Sequence, residues 1–125
     1  MVGMQALLGW QRIRVIGHSM TPTLLPGDVV LVRHGAPVRP GAIVLARFAS
    51  RPELLVVKRA VRPAAGGWLL ASDHSRAGSD SRQYGVAEVL AVAVRIWHRG
   101  SGRSADPPVR TWLGWPVGAP PPAGL

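Results

Sequence analysis

Apolar residues recur in short runs along this chain, most of them opened by a Pro or Gly turn signal. Arg12-Ile13-Arg14-Val15-Ile16 alternates polar and apolar positions, the pattern of a half-buried strand. Asp28–Arg33 follows Pro26-Gly27, Ala42–Phe48 follows Pro40-Gly41, and Leu54–Val61 follows Pro52. Trp68–Ala71 follows Gly66-Gly67, and Val86–Trp97 is long enough for one strand or a bent pair. Short strands at this spacing predict a mainly β chain, a twisted and partly closed antiparallel sheet with little helix. Only residues 1–10 offer a short helix, and Asp73–Gly85 reads as a polar loop between two apolar strands.

The pattern stops at Gly100. Residues 100–125 hold six Pro and five Gly and end Pro120-Pro121-Pro122-Ala123-Gly124-Leu125, which predicts an irregular tail with Trp112 and Trp115 docking back. The expected organisation is a short segment 1–10, one β-domain over 11–99, and the tail 100–125. A chain of 125 residues suits one core rather than two. No apolar run reaches the length of a membrane span, so no transmembrane anchor is expected, and the simplest location is the cytoplasm. With no cysteine, disulfides, thiolate metal sites and a thiol nucleophile are excluded. His34, His74 and His98 show no ligand spacing, so neither a metal nor another cofactor is expected. The net charge of +9 raises nucleic acid as a partner, but the arginines are scattered singly, and no specific nucleic-acid binding is expected. A dispersed basic surface serves solubility or steers an acidic protein partner.

Within those basic residues there is one anomaly: fourteen are Arg and one, Lys58, is Lys. Arg stays protonated, whereas a buried Lys can lose its proton and act as a base. Lys58 lies in the apolar run Leu54–Ala60, where burial would lower its pKa. Two further segments carry candidate chemistry. Gly17-His18-Ser19-Met20-Thr21-Pro22-Thr23-Leu24 puts a serine at a strand end beside a glycine, a setting for a nucleophile with backbone N–H donors around it. The loop Asp73–Gly85 carries the charges Asp73, Asp80 and Arg82.

Together these segments resemble the signal peptidase I family (S26) of Ser/Lys-dyad peptidases. The resemblance rests on Gly17–Leu24, Gly27-Asp28-Val29-Val30-Leu31-Val32, Lys58-Arg59, Ser72-Asp73-His74 and Asp80-Ser81-Arg82 through Gly85, all in order across residues 11–97. It implies a serine endopeptidase with Ser19 as nucleophile and Lys58 as general base. Gly17, His18, Ser19 and Met20 would frame the oxyanion and the substrate, and Asp73, Ser79, Asp80 and Arg82 would brace the site. Leu31–Ala36, Leu55–Ala60 and Ala77–Ser81 look most like the subgroup that matures nickel-type superoxide dismutase. The implied substrate is then a protein precursor, the dismutase proenzyme, whose N-terminal propeptide is removed.

The chain departs from the family's pattern in three places. Ser72-Asp73-His74 replaces Gly-Asp-Asn, Gly78 stands where a serine often holds the lysine, and Gly17 replaces a serine that can complete the oxyanion hole. Ser79, one residue from Gly78, is the substitute at hand. Plainer roles compete: Ser19 as a turn serine, Asp80 and Arg82 as a structural ion pair, Asp28 as a turn cap after Gly27. His18 as a general base is disfavoured, because strand neighbours point to opposite faces. Three other functions fit parts of the pattern: a general signal peptidase, which would need a route to the membrane; a self-cleaving repressor-type peptidase, whose DNA-binding domain ten residues do not supply; and a non-catalytic, partner-binding β-domain.

Overall fold

The computed structural model describes residues 9–74, 79–100 and 125. The chain forms strands β1 (Trp10–Arg14), β2 (Val29–His34), β3 (Ile43–Phe48), β4 (Arg51–Ala64) and β5 (Gly67–Ala71), the short helix α1 (Ser81–Tyr84), and β6 (Ala87–Trp97). All the strands pair antiparallel in one six-stranded sheet, ordered β1-β2-β6-β3-β4-β5. A single further pairing, Trp68 with Ala87, joins β5 to β6 and folds the sheet partly back on itself. The closure needs Gly67: a Cβ there would lie 2.1 Å from the Ala87 carbonyl oxygen. The fold is therefore the mainly β, partly closed antiparallel sheet that the alternation predicts.

β3 shows why Ile43–Ala46 is continuously apolar rather than alternating. Ile43 and Leu45 belong to one core with Val15, Met20, Leu24, Val30, Val32 and Ile96, while Val44, Ala46 and Phe48 belong to a second with Ala60, Leu70 and Ala87. Both faces are covered over Ile43–Ala46, so neither parity is polar there; the exposed Arg47 comes only after it. β2 keeps its alternation, burying Val30 and Val32 and leaving Arg33 exposed.

Several boundaries differ from the sequence reading. β1 begins two residues before Arg12 and ends at Arg14, because Val15 leaves the regular ladder to exchange backbone bonds with Asp28 and Gly27. β4 starts at Arg51 and continues to Ala64, past the expected Leu54–Val61, since its two ends pair with different neighbours, β3 and β5. β6 is one strand, with register shifts against β2 and β3. The polar loop contains a helix not expected there: Asp80 accepts the Arg82 N–H at 3.1 Å as N-cap, and Gly85 closes the turn on Ser81. The expected helix in residues 1–10 falls mostly outside the described residues. The tail, with Trp112 and Trp115, also lies outside them except for Gly100 and Leu125. Among the described residues, no helix is long and apolar enough to cross a membrane.

Candidate active site

Two strand edges that are open among the described residues define the site. β1 is the terminal strand of the sheet. Its bonds to β2 run through odd-numbered residues, since the His34 N–H donates to Gly9 and the Val15 N–H to Asp28. By that parity the backbone groups of Arg12 and Arg14 face the open edge. Residues 59–64 of β4 pair with β5, whereas among the described residues those before Arg59 have no partner on that side. The Ala60 N–H donates to Ala42 on the β3 side, so Leu55 and Val57 turn their backbone groups to the other, open side. Between these edges lies a cleft of about 770 Å³, lined in part by Arg12, Arg14, Ser19, Leu55, Val57 and Lys58.

Ser19 enters the cleft on a turn that immediately follows β1. Gly17 supplies a positive φ of 82° with no neighbour within reach of a Cβ, so its requirement is conformational rather than steric. The turn is then pinned from below. Met20 and Leu24, at 1% and 0% exposure, insert into the first core. Burial of each is worth about 1.5–3 kcal/mol. The Leu24 N–H closes on the Met20 carbonyl at 2.8 Å, and the Thr21 N–H on the His18 carbonyl at 3.1 Å. From the far side, the His74 N–H donates to the Ser19 carbonyl at 2.9 Å. No protein acceptor takes the Ser19 N–H among the described residues. His18 is exposed and lines the cleft, and Met20 reaches it from a side chain seated in the core.

Lys58 is 3% exposed, on the β4 wall. Its Nζ donates to Ser72 Oγ at 3.0 Å and to Ser79 Oγ at 3.3 Å. Burial, which disfavours the ammonium form, pushes the Lys58 pKa below the ordinary lysine value, against a smaller opposing pull from the Asp80 charge. Ser19 and Lys58 share the cleft, but the nitrogen donates to Ser72 and Ser79 rather than to Ser19.

The bracing residues form two separate knots. Asp80 is fully buried and receives the Ser72 N–H at 3.0 Å, the Arg82 N–H at 3.1 Å, and the Arg82 guanidinium at 2.6 and 3.1 Å. Burial alone would raise its pKa. The hydrogen bonds from Arg82 and Ser72 and the Arg82 charge outweigh that, holding the carboxyl below its ordinary value. Asp73 belongs to the other knot. It accepts Arg59 Nε at 3.1 Å, the Arg59 terminal nitrogen at 2.5 Å and Thr23 Oγ1 at 2.6 Å. Arg59 also donates to the Gly41 carbonyl at 2.9 Å. This knot ties the serine turn, β4 and the segment after β5 together. Asp28 does more than cap a turn. It is wholly buried and accepts the N–H groups of Leu25 at 3.0 Å and Gly100 at 2.7 Å, beside His98 Nδ1 at 3.2 Å.

Sequence reasoning missed Ser72, Arg59, Thr23 and the His74 backbone as parts of this site. The signal for Ser72 was present as a departure: serine stands where the resembled family has glycine. Gly78 lies outside the described residues.

A family profile described as Peptidase S24-like matches residues 11–94, which takes in the serine turn, both cleft walls and both knots. The chain belongs to the Peptidase S24-like family. That membership makes it a peptidase of the serine class, within the signal-peptidase-like clan of Ser/Lys peptidases. Among curated proteins, none matches the chain. The matched span of this S24-like domain ends before the Pro-rich tail and includes all six strands in whole or in part.

Proposed function

We propose that the protein is a serine endopeptidase in which Ser19 is the nucleophile and Lys58 the general base. The observation that carries this reading is a buried, pKa-lowered lysine sharing one strand-edged cleft with a serine held on a fixed turn. A neutral Lys58 amine has two N–H bonds and one lone pair. With the N–H bonds directed at Ser72 and Ser79, the lone pair remains to accept the Ser19 hydroxyl proton. Catalytic contacts are often long before substrate arrives and tighten in the complex.

The substrate chain lies extended between the open edges of β1 and β4 and adds a strand to each. Ser19 Oγ attacks the scissile carbonyl as its proton passes to Lys58 Nζ. The Ser19 N–H stabilises the resulting oxyanion, with Gly17, His18 and Met20 shaping the turn around it. One such donor is worth about 2.7–4 kcal/mol of barrier. Lys58 then returns the proton to the leaving amine, which departs and leaves an acyl-serine. A water molecule gives a proton to Lys58 as its oxygen attacks the acyl carbon; the bond to Ser19 Oγ then breaks, the Lys58 proton returns to Ser19 Oγ, and the acid is released. Asp73, Ser79, Asp80 and Arg82 act by positioning rather than by touching the reacting atoms.

The substrate favoured by the sequence resemblance is a protein precursor, the nickel superoxide dismutase proenzyme, from which an N-terminal propeptide is removed. Incubation with that proenzyme, followed by mass spectrometry of its N-terminus, tests the reading. Wild type should cleave at one bond, and Ser19→Ala and Lys58→Ala should not. Equal cleavage by Lys58→Arg would sink the general-base role. One observation favours a second substrate class, exported precursors presented at a membrane. Ile16 is 90% exposed beside the serine turn, and Leu54 and Leu55 are exposed on the facing wall. Cleavage of a vesicle-bound precursor with no cleavage of the dismutase proenzyme would decide for that class.

A further inference from the structure

We propose that the cleft selects an extended peptide segment carrying carboxylate side chains, and that Arg14 is the residue that reads them. The inference rests on the reading that this cleft receives a peptide, and it names the class of peptide.

Among the described residues the charged and titratable groups lining the cleft are Arg12, Arg14, His18, Lys58 and His74, with no Asp or Glu. The nearby carboxylates are committed elsewhere. Asp73 is held by Arg59 and Thr23, and Asp80 by Arg82 and the Ser72 N–H. On other surfaces arginines have acidic partners, Arg47 with Glu88 and Arg51 with Glu53. In the cleft the cations differ in what they have left to offer. Lys58 is buried and bonded to two serines. The Arg12 guanidinium lies over the Trp97 ring at 5.2 Å. Arg14 is exposed, lines the cleft, and has no ion-pair partner among the described residues.

Its position on β1 gives that charge a target. The Arg14 backbone faces the open edge, so a peptide pairing there passes beside it. A guanidinium meets a carboxylate through two parallel N–H donors, a geometry a strand-bound Asp or Glu side chain can meet. A nucleic acid fits the same charge less well. It cannot pair with a strand edge, and the tryptophans of this region, Trp10 and Trp97, are stacked under Arg33 and Arg12 rather than presented to bases.

The test uses full-length protein carrying Ser19→Ala, so that binding is read without cleavage. Fluorescein-labelled decapeptides with Glu, Gln or Lys at alternate positions are titrated by fluorescence anisotropy, with oligothymidylate as competitor. The Glu peptide should bind about tenfold more tightly than the Gln peptide at low salt, with the margin shrinking as salt rises. Arg14→Gln should erase the margin, and Arg14→Glu should reverse it in favour of the Lys peptide. Arg39→Glu, an equal change in net charge at an exposed turn, should leave the margin intact. Equal binding of Glu and Gln peptides, or a margin that survives Arg14→Glu, overturns the inference while leaving the peptide cleft standing. Failure of every peptide to bind overturns both. Oligothymidylate binding more tightly than the Glu peptide assigns the charge to nucleic acid and overturns the inference alone.

Discussion

Lys58 Nζ donates to Ser72 Oγ at 3.0 Å, joining the β4 wall of the cleft to the residue that follows β5. Ser72 in turn is fixed by its own N–H on Asp80. The lysine is thus aimed by a hydroxyl whose backbone is anchored on a buried carboxylate. Ser72→Ala should lower kcat about tenfold with little change in KM, the effect of losing one positioning hydrogen bond of about 1.4 kcal/mol. Ser79→Ala, removing the longer 3.3 Å contact, should cost less. Steady-state kinetics on one precursor measure both, and an unchanged kcat in Ser72→Ala would remove it from the site.

Ser72 also marks the limit of what the residues disclosed in advance. The alternation around Ile13, Val30 and Val32 gave the strands, because each has one buried and one open face. Met20 and Leu24 identified the serine turn by motif, and their burial in the first core explains physically why those positions are apolar. The sequence also singled out Lys58 by composition alone. It did not disclose which hydroxyl meets the lysine, since that depends on how β5 crosses β4, with Arg59 opposite Ala71 in the register. Nor did it disclose the Arg59–Asp73 pair, because the two are brought together by that same crossing. Helix α1 was hidden for a different reason: four residues give too little periodicity to read, and its cap Asp80 looks the same in a loop.

The Arg59–Asp73 pair makes a prediction about stability. Both side chains are largely buried, and Asp73 also holds Thr23 beside the serine turn. Asp73→Ala strips the carboxylate from a buried guanidinium, which typically costs about 3–5 kcal/mol. Urea denaturation should show that loss as a lower midpoint with an unchanged slope. A change below about 1 kcal/mol would mean that solvent, rather than Asp73, satisfies Arg59.

Lys58 should cost the fold stability in return for its chemistry. Its folded pKa lies below the ordinary 10.5, so between those two values the folded state binds fewer protons than the unfolded state. Stability therefore rises as pH increases through that window, and the burden is heaviest below it, where the ammonium must be carried in a buried position. Lys58→Met, similar in length and apolar, should abolish cleavage while raising stability at neutral pH by about 1 kcal/mol or more. The pH dependence of stability should flatten in the same variant. Equal or lower stability of Lys58→Met at neutral pH would show that the serines fully compensate the buried charge.

The charge of Asp80 works against burial at the lysine. Burial lowers the Lys58 pKa, and the ionised Asp80 pulls it partly back. With Lys58 as the proposed general base, activity requires the neutral amine, so it should rise along an ascending limb that reports the lysine in the free enzyme. Asp80→Asn keeps an oxygen for the Ser72 N–H and removes the negative charge. The opposing pull then disappears and burial acts alone, so the limb should move to lower pH. The maximum rate should fall only modestly, because the Asn oxygen still accepts the Ser72 N–H that holds the lysine's partner in place. The measurement is kcat/KM against pH for wild type and Asp80→Asn on the same precursor. A limb that stays in place would mean Asp80 acts on the site only through Ser72 and Arg82, and a limb that moves to higher pH would mean the group titrating there is not Lys58.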